Sequence, residues 1–250
     1  MRLLFTICGR AGSKGIKNKN LRDFCGKPLA YYTLSVIDLY MNKHPEVLCD
    51  IVVNSDSKEL LKIVSESGMR EVDTIDRVES LAGDSVGKIE VIKDCLERMT
   101  AYKNRGYDMV VDLDITSPLR TVEDLERVIE KEKETNADVT TTVAPARRNP
   151  YFNQVMKTEH GVRKVISSDY TARQQAPEIF DMNASIYAYK PEFLYSGKGV
   201  LSGYCEIVEM ADTGVLDLDH ENDFELMEVI ASYLFNKREY AEVKNNIPCL

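Results

Sequence analysis

The chain is 250 residues long, with 44% hydrophobic and 29% charged residues. These are ordinary globular values, and a chain of this length buries roughly 70–75% of its unfolded surface, which excludes a disordered tail, a collagen-like repeat and a disulfide-dependent small scaffold. With 32 Lys and Arg against 41 Asp and Glu the formal charge is −9, so no nucleic-acid partner is expected and any local cluster of cations is informative.

Six cysteines stand at 8, 25, 49, 95, 205 and 249. None has the close spacing of a metal knuckle, and their apolar neighbours read as buried reduced thiols of a cytoplasmic protein. The first apolar stretch is too short for a secretion signal, and no run approaches a membrane span, so no membrane partner is expected.

Leu3 to Cys8 reads as a buried first strand, followed by a Gly- and Lys-rich loop. Leu29, Tyr32, Thr33, Val36 and Tyr40 recur at helical spacing. Asp50 to Asn54 is a second strand, and Ser57 caps a helix bearing Leu60, Leu61 and Val64 that ends near Gly68. Ser85 precedes a helix with Ile89, Ile92, Cys95, Leu96 and Met99 on one side. Asp108 to Leu113 is a strand. Thr121 with Asp124 resembles a capping box opening a helix through Leu125, Val128 and Ile129. Asp138 to Ala144 is a β-branched strand.

The rhythm breaks over 145–182, with Pro145, Pro150 and Pro177 and two short strand-like pieces (Tyr151 to Met156, Gly161 to Ile166). It resumes with a strand at Ala184 to Tyr189, another at Val215 to Asp219, and a helix through Phe224, Met227, Ile230, Ala231 and Leu234. Alternating strands and helices predict an α/β chain on a largely parallel sheet. The division expected is a nucleotide-binding catalytic domain over 1–144 and 183–250, with an excursion over 145–182.

The loop at 9–22 carries Gly9, Gly12 and Gly15, five cations (Arg10, Lys14, Lys17, Lys19, Arg22) and no acid. Glycines let backbone N–H groups approach phosphate oxygens, and the cations neutralise a polyphosphate. The loop follows the carboxyl end of a strand, where open α/β sheets bind ligands. It matches neither the P-loop nor the dinucleotide fingerprint, and a solvated basic turn is the bland alternative. Asp217 and Asp219, two apart, share one strand face and suit Mg²⁺, which takes one or two carboxylates with phosphate oxygens. Capping of the next helix by Asp219 or Asn222 is the structural alternative.

Arg10-x-Gly12-Ser13-Lys14-Gly15, then Lys19-Asn20-Leu21-Arg22 and Gly26-Lys27-Pro28-Leu29, resembles the signature loop of the sugar cytidylyltransferases, specifically the CMP-sialic acid synthetases. Further matches follow in order: Arg77 with Leu81-Ala82-x-Asp84, Thr116-Ser117-Pro118-Leu119-Arg120-Thr121, Arg173-Gln174-Gln175-x-Pro177, Asn183-Ala184-Ser185-Ile186-Tyr187 against N-G-A-I-Y, and Asp217-Leu218-Asp219 against D-I-D. Together they cover nearly the whole chain.

The resemblance implies a Rossmann-like three-layer α/β/α nucleotidyltransferase fold, GT-A-like. Its reaction joins CTP to a nine-carbon sugar acid, giving CMP-N-acylneuraminate and pyrophosphate. It also implies a homodimer built by the 145–182 segment. Carried over by residue, it casts Arg10, Gly12, Ser13, Lys14, Lys19, Asn20 and Arg77 as nucleotide ligands, with Arg10, Lys19 and Asp219 catalytic. Asp114, Thr116, Ser117, Arg173 and Gln174 fall on the acceptor side, and Asp217 and Asp219 hold Mg²⁺. Relatives acting on N-acetylneuraminic acid usually carry Gln where Asp114 stands, which leaves Kdn, legionaminic or pseudaminic acid open as acceptor and leaves open a role for Asp114 beside the metal. Two rivals are a GT-A glycosyltransferase, because Asp112-x-Asp114 fits D-x-D, and a non-catalytic nucleotide-binding regulator.

Overall fold

The computed structural model describes residues 1–12, 15–83, 86–211, 218 and 220–249. In chain order the strands are β1 (Arg2–Cys8), β2 (Asp23–Phe24), β3 (Lys27–Pro28), β4 (Leu48–Ser55), β5 (Asp73–Asp76), β6 (Met109–Leu113), β7 (Val139–Pro145), β8 (Val155–Thr158), β9 (Gly161–Lys164), β10 (Phe180–Tyr189) and β11 (Cys205–Glu209). The helices are α1 (Leu29–Lys43), α2 (Lys58–Ser65), α3 (Lys88–Lys103), α4 (Val122–Thr135), α5 (Pro191–Leu194), α6 (Glu221–Leu234) and α7 (Arg238–Asn245). The expected strand at Val215 to Asp219 lies outside the described residues except for Leu218, as do Ser13, Lys14, Asp84 and Ser85.

Among the described residues seven strands form one sheet in the order β11-β7-β10-β6-β1-β4-β5. All its pairings are parallel except those of β10, which runs against both β6 and β7. Side-chain alternation along β1 fills two cores. Leu3, Phe5 and Ile7 pack with the apolar faces of α1, α2, α4, α6 and α7. Leu4 joins Ile92, Cys95, Leu96 and Met99 of α3 and Phe193 and Leu194 of α5 on the other face. Helices on both faces of the sheet make the expected three-layer α/β/α fold.

Local chemistry sets the element ends. Ser57 Oγ accepts the N–H of Leu60 at 3.2 Å and so caps α2. The capping box at α4 is complete: Thr121 Oγ1 accepts the Asp124 N–H at 3.1 Å, and Asp124 Oδ2 accepts the Thr121 N–H at 2.9 Å. Asp therefore serves in place of the usual Glu or Gln. Ser85 is outside the described residues, and Gly87 is the residue capping α3.

Between β7 and β10 the chain leaves the main sheet. β8 and β9 pair only with each other and expose Val155, Met156 and Val162. The return strand β10 shifts register between Met182 and Tyr187, and within that irregularity Ala184 adopts φ 52°, a left-handed conformation that an L side chain disfavours.

Candidate active site

β1 ends at Cys8 against β4 and β6, and the loop that follows is pinned by backbone-directed bonds. Gly9 N–H donates to Asn54 O at 3.2 Å, and the Ala11 N–H donates to Asp56 Oδ1 at 2.7 Å. Gly9 has no room for a side chain: a Cβ there would lie 2.6 Å from Leu60 Cδ2 and 2.8 Å from Ile115 Cδ1. Ile16 is fully buried in the core and anchors the middle of the loop. The Lys19–Leu21 turn then presents Lys19 and Asn20, with the Asn20 amide donating to Arg10 O at 3.1 Å.

A cavity of about 400 Å³ opens at this rim, lined by Arg10, Lys19, Asn20, Arg77, Lys88, Asp114 and Thr116 among others. Six of the sequence-derived site residues therefore share one cavity. Lys19 Nζ donates to Leu218 O at 2.6 Å, so the backbone between Asp217 and Asp219 meets the cationic loop. Asn20 Oδ1 is buried with no hydrogen-bond partner among the described residues, an acceptor waiting for a donor. Arg77 ties part of its guanidinium to the scaffold: Nε donates to Asn54 Oδ1 at 2.7 Å, and Nη2 to Gly9 O at 3.1 Å and Asn54 O at 2.9 Å. It braces the loop from inside the cavity wall.

Other expected residues lie elsewhere. Gly12 sits in the loop at φ 74°. Ser117 is buried, its hydroxyl bonded to Ser185 Oγ at 2.8 Å, and is not among the lining residues. Arg173 and Gln174 stand exposed on a short turn of the excursion and are not among the lining residues, and Arg173 donates to Ala146 O at 2.8 Å. Ser13, Lys14, Asp217 and Asp219 fall outside the described residues.

Sequence reasoning missed Lys88. Its ammonium lies 2.7 Å from Asp112 Oδ2 and 2.9 Å from Asp114 Oδ2. Burial alone would lower its pKa, but Asp112 and then Asp114 outweigh that and hold it well above the ordinary lysine value. Burial would likewise raise Asp114. The Lys88 charge and bond, with two bonds from Thr116, win and hold that carboxyl well below the usual range. A signal was present: Lys88 is the first residue of α3, where the helix dipole disfavours a cation unless carboxylates face it.

Cys8 also lines the cavity. A hydrogen bond with Cys95 and burial push its thiol well above the ordinary value, so it supplies no thiolate.

The family implies a divalent metal. At Asp112 and Asp114 the fit fails, because Lys88 occupies the space between the two carboxylates. The hard-oxygen donor pair Asp217 and Asp219 suits Mg²⁺ by chemistry, and the Lys19 bond to Leu218 brings the intervening backbone to the phosphate-binding loop. Among the described residues no group of three or more His, Cys, Asp or Glu is placed to hold a metal.

The cytidylyltransferase family model matches residues 4–238. The post-translational flagellin modification protein B of Campylobacter coli is 35% identical over 91% of this chain and 94% of its own length. The CMP-N,N'-diacetyllegionaminic acid synthase of Campylobacter jejuni is 34% identical over 92% and 95%. Among solved structures, a CMP:2-keto-3-deoxy-manno-octonic acid synthetase complexed with CTP superposes at TM-score 0.64 and 16% identity, covering 93% of this chain and 99% of that one, which speaks to the fold. A match of this extent, over the sheet and the cationic rim alike, makes the chain a nucleotidyltransferase belonging to the cytidylyltransferase family, of the CMP-sialic acid synthetase type.

Proposed function

We propose that the chain activates a nonulosonic acid with CTP, releasing pyrophosphate. The observation that carries this reading is the cavity at the carboxyl ends of β1 and β6, where Arg10 and Lys19 stand beside an unpaired Asn20 acceptor in an otherwise anionic protein. Arg10, Ser13, Lys14 and Lys19 bind the triphosphate, with Gly12 giving backbone access to it. Asn20 takes a donor of the nucleoside, and Arg77 braces the loop that grips the phosphates. The anomeric hydroxyl of the sugar acid attacks the α-phosphorus and gives up its proton. A new P–O bond forms, the bond from the α-phosphorus to the bridging oxygen breaks, and pyrophosphate leaves. Positioning and charge neutralisation suffice for such a transfer, without a covalent intermediate. Mg²⁺ held by Asp217 and Asp219 would neutralise phosphate charge and acidify the attacking hydroxyl.

Asp114 and Thr116 face the acceptor end of the cavity, with Ser117 supporting them from beneath through Ser185. Arg173 and Gln174, exposed on the excursion over 145–182, reach the acceptor in the second subunit of a homodimer, where a guanidinium fork suits its carboxylate. The apolar surface of Val155, Met156 and Val162 supports this use of the excursion. The name of the Campylobacter jejuni relative favours N,N'-diacetyllegionaminic acid over N-acetylneuraminic acid, Kdn and pseudaminic acid. No described helix is long and apolar enough to cross a membrane, and a cytoplasmic site of action agrees with CTP as substrate.

Incubation with CTP, Mg²⁺ and each of the four acids, followed by pyrophosphate release, tests the reading. Release is expected with at least one acid and strongest with N,N'-diacetyllegionaminic acid. Folded protein that binds CTP and turns over none of them is a nucleotide-binding regulator instead. Asp219→Ala is expected to abolish release while leaving the melting curve intact, and unchanged turnover would remove Asp219 from the metal site.

A further inference from the structure

The Asp112-Leu113-Asp114 pair has the spacing with which two carboxylates commonly embrace a divalent cation. Here the cation between them belongs to the chain. Lys88 Nζ meets Asp112 Oδ2 at 2.7 Å and Asp114 Oδ2 at 2.9 Å. The outer oxygens are engaged as well: Asp112 Oδ1 accepts from Thr6 Oγ1 at 2.8 Å, and Asp114 Oδ1 accepts the Thr116 N–H at 2.8 Å and its hydroxyl at 2.7 Å. Three of the four carboxylate oxygens thus accept hydrogen bonds, and the fourth, Asp112 Oδ2, is buried with the Lys88 ammonium as its one close polar contact among the described residues.

Charge leads to the same conclusion. Asp112 is fully buried, and two carboxylates so close require a compensating cation. Lys88 provides one. Arg120, itself fully buried, adds a second positive group nearby, donating to the backbone oxygens of Ser117 at 2.9 Å and of Asp114. A protein cation in contact with both carboxylates thus already stands where a metal would sit. A magnesium ion needs oxygens at about 2.0–2.1 Å in octahedral array and would have to expel the ammonium to obtain them.

We propose that Lys88 is a built-in substitute for a metal ion at the Asp112–Asp114 pair, fixing a protein cation where an exchangeable one would otherwise sit. Lys88 is thereby a positioning residue: it orients Asp114, which in turn orients the backbone and hydroxyl of Thr116 at the acceptor end. The absence of a metal at the pair does not depend on which reaction the chain catalyses. The positioning role rests on the proposed cytidylyl transfer.

Mn²⁺ titration of the full chain without nucleotide, read by the electron spin resonance of free Mn²⁺, tests the first part. Asp114→Asn is expected to bind as many Mn²⁺ as the parent. Lys88→Met, which keeps the length of the stem, is expected to gain about one further equivalent, and the Lys88→Met/Asp114→Asn double variant to lose it again. A parent chain that loses an equivalent on Asp114→Asn overturns the proposal. So does a cooperatively melting Lys88→Met that gains none. Should Lys88→Met not fold, the comparison of parent with Asp114→Asn still decides.

For the positioning role, Lys88→Met is expected to raise the acceptor KM about tenfold while CTP affinity by calorimetry stays within about twofold; an unchanged acceptor KM overturns it. Absence of pyrophosphate release from the parent would count against the proposed reaction alone and leave the Mn²⁺ result standing.

Discussion

Glu132 gives the sharpest test of the energetics. It lies on α4 and is only 3% exposed. Its Oε2 accepts from Thr140 Oγ1 of β7 at 2.5 Å, while Oε1 is buried with no partner among the described residues. Burial raises its pKa from 4.5 to about 7, partly opposed by the Thr140 bond and Lys190. The unfolded chain loses the proton near 4.5 and the folded one holds it to about 7. Over that window the folded state binds more protons, so stability falls as pH rises and levels off above it. A displacement of this size corresponds to about 3 kcal/mol lost between acid and mildly alkaline pH.

Glu132→Gln removes the titration and keeps an acceptor for Thr140, but buries an amide donor at an unpartnered position, costing about 1 kcal/mol. The variant is expected to be about 1 kcal/mol less stable than the parent near pH 4.5 and about 2 kcal/mol more stable near pH 8.5. Urea denaturation at several pH values, monitored by circular dichroism, measures the difference. A difference that stays flat across about pH 4.5–8.5 would refute the claim that Glu132 holds a proton in the fold.

Gly9→Ala drives a methyl group into Leu60 and Ile115 and is expected to cost about 1–3 kcal/mol and to weaken CTP binding through the neighbouring loop; a variant with the parent's melting temperature would show that the rim yields freely. Asn20→Ala removes the unpaired acceptor and is expected to weaken CTP binding about tenfold, roughly 1.4 kcal/mol by calorimetry, and equal affinity would separate Asn20 from the nucleotide. Ala184→Gly relieves the φ of 52° and should stabilise the chain by about 1 kcal/mol; a lower denaturation midpoint would mean that the Ala184 methyl contributes packing worth more than the strain.

The central architecture was legible because its signals are local. Leu3 to Cys8 is a continuous apolar run, Ser57 and Thr121 carry side-chain caps, and α1 repeats its apolar residues at helical spacing. Elements at the margins carried too little pattern. β5 is an edge strand with only Ile75 buried, and α7 is mostly charged around Tyr240 and Val243. β11, at the opposite edge, buries only Val208. The cationic loop stood out as a candidate site because five cations without an acid are anomalous in an acidic chain, and the structure brings Arg10 and Lys19 of it to one cavity. What escaped was the partner relation across elements. Lys88 looks like any helix-start lysine until Asp112 and Asp114, more than 20 residues later, fold against it, and nothing local in the sequence announces that Arg77 also bonds Asn54 and Gly9.

The reversed direction of β10 has a topological consequence. A parallel neighbour to β7 would need a crossover returning the chain to the opposite end of the strands. Because β10 is antiparallel, β7 can finish and β10 can begin at the same end of the strands, Pro145 lying opposite Phe180. β6 runs parallel to β7, so this is also the end at which β6 delivers Asp114. Everything inserted between 145 and 180 is therefore planted beside the mouth of the cavity, and its length can change without disturbing the order of a single strand. One inverted strand makes the outgrowth modular: under the proposed function, acceptor selection and subunit pairing could be rewritten there while the loop rooted at β1 stays as it is.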